Sequence, residues 1–272
     1  MPIRLRAAAV SDVGVHRETN QDAAFTAPWG AAVADGVGGG PSGDLASAAL
    51  VHRLVAAGAM IPDPETLVVR IREANWDLRA QVERNPALRG MATTFTGLFL
   101  GASGDLLVAH TGDSRAYLLR DGWFTRETRD DSYVQALVDR GLLAPEAAAS
   151  HPRRNIITAS LGGGEDDTIS VQERQPVVGD RWLLCSDGLT DYVPELDVVE
   201  LLTSTSTSAE AAAAIVALAL EAGTRDNVTA VVCDVVDQDS VDEDSGDEDE
   251  VDERPVFYGS AARYFTEDVE TA

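Results

Sequence analysis

Residues 31–47, AAVADGVGGGPSGDLAS, place one acid between a short apolar run and a dense group of glycines. The apolar run 31–34 has the composition of a buried strand, and the residues after Gly43 have the composition of a helix start. Asp35 is therefore predicted to stand at a strand end, where the glycines around it would let the backbone take positive φ. A carboxylate beside the carbonyl of Gly36 suits a divalent cation with oxygen ligands, although an ordinary acidic turn would have the same sequence.

The same glycines allow a second interpretation. Gly38, Gly40 and Gly43 fit the G-x-G-x-x-G spacing of a dinucleotide-binding turn. Such a turn needs a helix, a second parallel strand and then an acid for the ribose. Here the helix runs into Pro62 and Pro64 and then into another helix, so no strand completes the unit. We regard this alternative as the weaker one.

Composition limits the class of protein. The chain has 272 residues, 44% of them hydrophobic, which is enough for one large domain or two small ones. Its formal net charge of −25 argues against general binding to nucleic acid or to anionic membranes. The sequence shows no signal-peptide pattern and no apolar run of membrane-spanning length, so we expect a cytoplasmic protein. Cys185 and Cys233 lie in apolar runs and are expected to be buried, reduced thiols.

Four aspartates stand next to predicted strands: Asp35, Asp113, Asp187 and Asp226. Carboxylates gathered at the rim of a sheet repel one another, and bridging divalent cations relieve that repulsion. Because the sequence has neither a cysteine ligand pair nor an H-x-x-x-H helix, Mg or Mn fits these acids better than zinc. The alternative is that each acid only caps its own turn.

The chain divides by composition into a body and a tail. Residues 1–236 hold the predicted strands and helices, interrupted at about 128–167 by short helices that we interpret as a small flap near the site. Residues 237–272 form an acidic tail that begins with a block of like charge and is expected to be disordered. The aromatic residues near its end are enough for a short docking motif, but not for a core.

Seven motifs follow one another from about Ser11 to Val236: SDVGVHRETNQDA, VADGVGGGPSGDLAS, MATTFTGLFL, HTGDSRAYLLRDG, HPRRNIITASLGG, LLCSDGLTDYV and GTRDNVTAVVCDV. Together they resemble the bacterial metal-dependent serine/threonine protein phosphatases of type 2C, the PPM family. The resemblance implies an α+β fold, a four-layer α-β-β-α sandwich with two central antiparallel sheets and a small helical flap. The metals would lie in a cleft at one edge of the sheets.

The resemblance also implies a set of metal ligands. Asp35 would bridge two tightly bound ions, Mn or Mg, and the carbonyl of Gly36 would bind the first of them. Asp187 and Asp226 would complete the coordination of the second. Asp113, together with Asp187, resembles the site of a third, weaker ion.

Further roles follow from the same resemblance. Asp191 would support the third ion, Gln21 and Asp22 would orient metal-bound waters, and Arg17 would grip the phosphate with its fork of donors. The sequence departs from some eukaryotic members at Val37, where those members have a histidine proposed as the general acid. The proton for the leaving group must then come from elsewhere, and a water ordered by Asp22 is our candidate.

The activity that the resemblance implies is metal-dependent hydrolysis of phosphoserine and phosphothreonine on proteins by a metal-bridging hydroxide. We expect it to oppose a bacterial serine/threonine kinase, with phosphorylated proteins, including such kinases, as partners and with a monomeric enzyme. A catalytically dead member of the family that acts as a binding scaffold is the main alternative. Such members usually lack a metal aspartate, and none is missing here.

Overall fold

The computed structural model describes residues 3–37, 42–59, 61–238 and 254–269. The strands are β1 (Ile3–Asp12), β2 (Asp22–Ala27), β3 (Gly30–Val37), β4 (Ala92–Thr93), β5 (Phe95–Leu100), β6 (Leu106–Thr111), β7 (Arg115–Arg120), β8 (Trp123–Arg126), β9 (Ser170–Arg174), β10 (Arg181–Cys185), β11 (Val228–Asp237) and β12 (Val256–Gly259). The helices are α1 (Gly43–Ala56), α2 (Pro64–Arg84), α3 (Tyr133–Asp139), α4 (Pro145–Ala148), α5 (Asp187–Thr190), α6 (Glu195–Ser204), α7 (Ser208–Glu221) and α8 (Ser260–Val269).

The strands form two sheets. One has the order β1-β11-β10-β7-β8, and the other has the order β12-β2-β3-β5-β6-β9, with β4 paired to β3. Every pair of these strands is antiparallel. The dinucleotide-binding alternative is therefore wrong, because it needs a parallel β-α-β unit and α1 is followed by α2 instead of a strand.

Three apolar layers separate four layers of secondary structure. Alternate residues of β3 point to opposite faces, so Val33 packs between the sheets while Ala32 packs under α1 and α2. Between the sheets, Val33 meets Trp182 of β10, which is fully buried. On the other side of the first sheet, α6 and α7 cover a third apolar layer. The predicted α+β sandwich with two central antiparallel sheets is confirmed.

The predicted helices and strands are present, with differences at their ends. Leu67, Ile71 and Leu78 recur at helical spacing in the sequence, and all three are buried on one face of α2. Strands β8 and β9 were not predicted, because β8 is a four-residue edge strand and β9, SVQER, shows no buried alternation. Strand β3 continues to Val37, so Asp35 lies within a strand and not at its end as predicted.

The segment predicted as a flap contains the short helices α3 and α4. Its far end is fastened to α2 by polar contacts. The backbone N–H of Gly163 donates to Asn75 Oδ1 at 2.7 Å, and Arg79 pairs with Glu165 at 2.8 Å. The glycine-rich end of the flap therefore has a fixed attachment to the helix layer.

The region predicted as a tail is in part built into the fold. Strand β11 runs to Asp237, and the acidic residues 239–253 lie outside the described residues. After them, β12 adds to the edge of β2 and α8 follows it directly. The prediction that the chain from 237 onward is a tail is thus corrected for residues 254–264, where aromatic side chains pack against the apolar layer under α1 and α2.

None of the helices in the described ranges combines the length and apolar character needed to cross a bilayer.

Candidate active site

Five aspartates converge where the two sheets meet at one edge. The pairing of β2 with β3 sets Asp22 directly opposite Asp35. Burial raises the pKa of Asp35 well above its ordinary value, and the charges of Asp22, Asp187, Asp113 and Asp226 raise it further. Each of these acids is therefore close enough to disfavour the ionised form of Asp35. The convergence inferred from four separate strand contexts is present.

Asp22 lies between the sheets and is fully buried. Its Oδ2 accepts hydrogen bonds from the hydroxyls of Ser186 and Thr229, each at 2.7 Å, while its Oδ1 has no partner among the described residues. Burial raises the pKa of Asp22 to about 6 despite those two hydrogen bonds. One oxygen of this carboxylate is thus held by residues of the facing sheet and the segment after it, and the other oxygen can accept a further hydrogen bond or bind a cation.

The backbone of Asp35 is held from the neighbouring strands. Its N–H donates to Thr94 Oγ1 at 3.0 Å, and its carbonyl accepts from Thr94 N–H at 2.8 Å. Gly36 does not have a positive φ, which corrects the predicted reason for a glycine there. A Cβ on Gly36 would instead collide with the carbonyl of Gly43, so the residue must be glycine for α1 to approach β3. Gly38 and Gly40 lie outside the described residues.

The chain segments that carry Asp187 and Asp226 pack closely against each other through their backbones. Asp187 opens α5 directly after β10, and a Cβ on the next residue, Gly188, would collide with the carbonyl of Asn227. Burial, followed by the charges of Asp113 and Asp226, raises the pKa of Asp187 well above its ordinary value. Its Oδ1 is buried and, among the described residues, has no hydrogen-bond partner.

Asn227 holds the loop before β2 against this edge of the two sheets through side-chain hydrogen bonds. Its side-chain amide donates to the carbonyls of Val13 and Thr19 at 2.9 and 3.0 Å, and its Oδ1 accepts from Gln21 N–H at 2.8 Å. The carbonyl of Gln21 in turn accepts from Gly36 N–H at 3.1 Å. The backbone of Gln21 thus hydrogen-bonds to Asn227 on one side of the site and to Gly36 on the other. Its predicted role in orienting water stays a prediction.

Asp113 occupies the other side of the cluster. Burial raises its pKa to about 7, with further contributions from the charges of Asp130 and Asp191. Arg115, two residues further along the chain, forms its ion pair with Asp130, at 2.8 Å. Asp191 pairs with Arg154 at 3.4 Å. Both Asp113 and Asp191 line a cavity of about 470 Å³ that reaches α3 and α4.

Arg17 lies at the rim of the cluster. Its Nη2 is 2.6 Å from Asp226 Oδ2, and the two side chains are 45% and 34% exposed. A pair this exposed contributes little to stability, so its guanidinium is free to exchange partners at low cost. Arg17 therefore stands where an anion approaching the aspartates would meet it first.

The donor set fits hard divalent cations. Two carboxylate oxygens, one on Asp22 and one on Asp187, are buried without a hydrogen bond to any described residue, and the pKa of each of these two aspartates is raised. Such a group of acids is unfavourable unless protons or cations neutralise it. Within the described ranges, no three acidic, histidine or cysteine side chains are already drawn together as a ligand group.

Comparison with known proteins identifies the family. The sequence profile described as protein phosphatase 2C matches residues 15–222, and the chain belongs to this family. Serine/threonine protein phosphatase PstP of Mycobacterium tuberculosis is 43% identical over 243 residues, which cover 86% of this chain and 46% of that protein. The chain therefore spans about half the length of this relative. Serine/threonine phosphatase stp of Listeria innocua is 36% identical over 212 residues, covering 74% of this chain and 82% of that protein.

Solved structures agree with the fold. The crystal structure of M. tuberculosis PstP superposes with a TM-score of 0.82 at 41% identity and covers 86% of this chain and 100% of that one. The catalytic domain of PstP in complex with two manganese ions gives a TM-score of 0.78 at 40% identity, with coverage of 86% and 100%.

Several residues that build the site were not predicted. Ser186 and Asn227 are neighbours of Asp187 and Asp226 in the sequence, and that adjacency was a usable signal. Thr94 and Asp130 gave no local signal, because they reach the site only through the pairing of β3 with its neighbours and through the ion pair with Arg115.

Proposed function

We propose that this chain is a metal-dependent protein phosphatase that hydrolyses phosphoserine and phosphothreonine on proteins. The observation that carries the proposal is the group of five mutually destabilising aspartates at one edge of a protein phosphatase 2C fold. The manganese complex of the related PstP domain supports Mn as the cofactor, with Mg as the other hard cation that suits aspartate ligands.

In this proposal Asp35, Asp187 and Asp226 hold two cations together with the carbonyl of Gly36. Two such ions, when bound, would generate a hydroxide nucleophile at neutral pH and offset the charge on the phosphoryl oxygens. Asp113 faces the cavity beside them and would hold a third, weaker ion. Neutralising the carboxylates with cations in this way removes the repulsion that raises their pKa values.

The chain's own residues bind and orient the substrate. Arg17 would leave Asp226 and donate two parallel hydrogen bonds to the phosphate, because a guanidinium matches two phosphate oxygens. Asp22, with Oδ2 fixed by Ser186 and Thr229, would accept a hydrogen bond from a water through Oδ1. The water that Asp22 orders through Oδ1 would then supply the proton to the leaving oxygen.

We further propose that the physiological substrates are phosphoproteins that a bacterial serine/threonine kinase has modified, including that kinase. A net charge of −25 supports a cytoplasmic, monomeric enzyme without affinity for nucleic acid or membranes.

Hydrolysis of p-nitrophenyl phosphate and of a phosphothreonine peptide, each with EDTA or with Mn, tests the proposed activity. We expect Mn-dependent turnover of both in the wild type, none in Asp35→Ala or Asp226→Ala, and full turnover in the exposed control Asp197→Ala. Folded variants are confirmed by circular dichroism. Turnover that persists in Asp35→Ala would refute the two-metal assignment, and Mn binding without turnover in the wild type would favour the scaffold alternative.

A further inference from the structure

The C-terminal residues 254–264, here called the clip, occupy the edge of the sheet that carries Asp22. Strand β12 pairs with β2 in the register Val256↔Thr26 to Gly259↔Ala23. Without the clip, β2 would be an edge strand with unpaired backbone groups immediately beside the aspartate cluster. The mode of binding is strand addition, in which main-chain hydrogen bonds supply affinity and side chains supply specificity.

The clip also holds α1 at two places. Near the middle of the helix, His52 donates from Nε2 to the carbonyl of Ala261 at 2.8 Å and packs against the ring of Phe257, with centroids 4.4 Å apart. In the first turn, the hydroxyl of Tyr264 donates to Asp44 Oδ2 at 2.8 Å. Ala261 is fully buried in the same apolar layer as α1 and α2. The orientation of α1 therefore depends on the docked clip.

A chain of polar contacts links the clip to the metal-site backbone. The hydroxyl of Ser260 donates to the carbonyl of Asp22 at 3.0 Å, and its oxygen lies 3.0 Å from Ser47 Oγ. Ser47 Oγ is 2.6 Å from the carbonyl of Gln21, which also accepts from Gly36 N–H at 3.1 Å. Ser260 and Ser47 are both buried, so each broken contact would leave a polar group without water.

We propose that the clip is a regulatory segment of this chain, whose docking on β2 and α1 holds Asp22 and Gly36 in place and raises the affinity of the site for divalent cations. Release of the clip lowers that affinity and leaves the chemistry intact. This inference rests on the proposed function, because it concerns the same metal centre. The attachment is small, a strand of four residues and the single helix that follows it, so docking and release are intramolecular steps that a competing partner can shift.

Gly259 is the point at which docking is most easily blocked. Its φ is +63°, and a Cβ would collide with the carbonyl of Asp22 and lie 2.9 Å from Ser11 Oγ. Gly104, in the turn between β5 and β6, has a φ of +88° and open space around the Cβ position. Gly259→Ala and Gly104→Ala thus share the backbone strain, but only Gly259→Ala adds the collision with β2.

The test uses the full-length wild type, Gly259→Ala and Gly104→Ala. Amide hydrogen exchange of residues 23–27 reports docking, calorimetry reports Mn affinity, and turnover is measured across a range of Mn concentrations. We expect Gly259→Ala to expose the β2 amides and to weaken Mn binding by about fivefold or more, a usual size for coupling between sites. Its turnover should recover at saturating Mn, and Gly104→Ala should match the wild type in all three measurements.

Ser260→Ala is a second test variant, and in it the clip can still dock on β2. It keeps the strand and removes only the hydroxyl that reaches Asp22, so it should retain β2 protection and still weaken Mn binding. Two results would overturn the proposal. One is a Gly259→Ala protein that exposes its β2 amides but binds Mn as tightly as the wild type, and the other is an unchanged Mn affinity in Ser260→Ala. Wild-type protein that binds Mn but turns over no phosphopeptide would refute the proposed function and leave the clip's effect on Mn affinity measurable.

Discussion

Replacing Asp22 by asparagine should stabilise the metal-free protein, although it removes a charged hydrogen-bonded residue from the site. Asp22 is fully buried, and burial raises its pKa from 3.8 to about 6. The unfolded chain ionises this group near 3.8, whereas the folded protein keeps its proton until about pH 6. The folded state therefore binds more protons in this window, and its stability falls as the pH rises through it. Asparagine stays neutral and escapes that loss.

The size of the effect follows from the shift. One pKa unit corresponds to about 1.4 kcal/mol, so ionised Asp22 destabilises the metal-free fold by about 3 kcal/mol at pH 8. At pH 5, where the folded protein still holds the proton and the unfolded chain has lost it, the same relation gives roughly half of that destabilisation. For a domain of this size, the gain at pH 8 is an increase in Tm of roughly 6 to 12 °C.

Thermal unfolding in EDTA, followed by circular dichroism at pH 5 and pH 8, measures the effect. The control is Asp197→Asn on the exposed face of α6, which should leave the difference between the two pH values unchanged. Added Mn should stabilise the wild type more than Asp22→Asn, because cations relieve the repulsion that the variant no longer has. Equal destabilisation of Asp22→Asn at both pH values would refute the view that the metal-free site is electrostatically frustrated.

Three further variants test separate parts of the site. Arg17→Ala should raise the KM for phosphopeptide more than it lowers kcat, if its contact with phosphate is alike in the ground and transition states; steady-state kinetics with unchanged KM and collapsed kcat would contradict this. Asp113→Ala should have a Tm no lower than the wild type, because burial disfavours the ionised carboxylate that it removes, and should keep two tight Mn ions yet lose most phosphopeptide turnover; a large drop in Tm with unchanged stoichiometry by calorimetry would make Asp113 structural. Gly36→Ala should be destabilised by about 1 to 3 kcal/mol and lose activity, because its Cβ meets the Gly43 carbonyl; a wild-type Tm in thermal unfolding would contradict the close packing.

The architecture was largely predictable because its signals are local. The stripe of Leu67, Ile71 and Leu78 defines α2 by its helical spacing, and the continuous apolar run 31–34 in β3 indicates a strand buried on both faces. Strand β9 was not predictable in the same way. Its burial pattern is mostly exposed, so only its pairing with β6, a contact between residues far apart in the chain, makes it a strand.

The acids of the site were predictable from sequence, but their supports were not. Asp35, Asp187 and Asp226 stand beside apolar runs and small residues, which is a pattern visible in one dimension. The hydroxyls that hold Asp22 come from Thr229 in β11 of the opposite sheet and from Ser186, the residue after β10, and nothing near Asp22 in the sequence indicates them. The sequence near Gly36 likewise does not show why this residue must be glycine, because the cause is the close approach of α1 and not a turn.

The acidic composition around residue 237 suggested that everything after it was tail. Local composition cannot show that a short segment beyond a charged stretch returns to the fold, because that return depends on an open strand edge elsewhere in the molecule. The edge is β2, and the segment fits it through Gly259 and the buried Ser260. The aromatic residues near the end of the chain were the only sequence signal of this docking.

Calorimetric titration of Mn into the metal-free, full-length chain tests the central claim most directly. We predict two tightly bound ions in the wild type, and loss of the tight binding in Asp35→Ala, because Asp35 is assigned to both ions. The metal-free Asp35→Ala protein should also have a Tm at least as high as the wild type, since burial and four neighbouring acids disfavour the ionised carboxylate there. Two ions bound to Asp35→Ala with wild-type affinity, or no tight ion in the wild type, would contradict the assignment of this cluster as a metal centre.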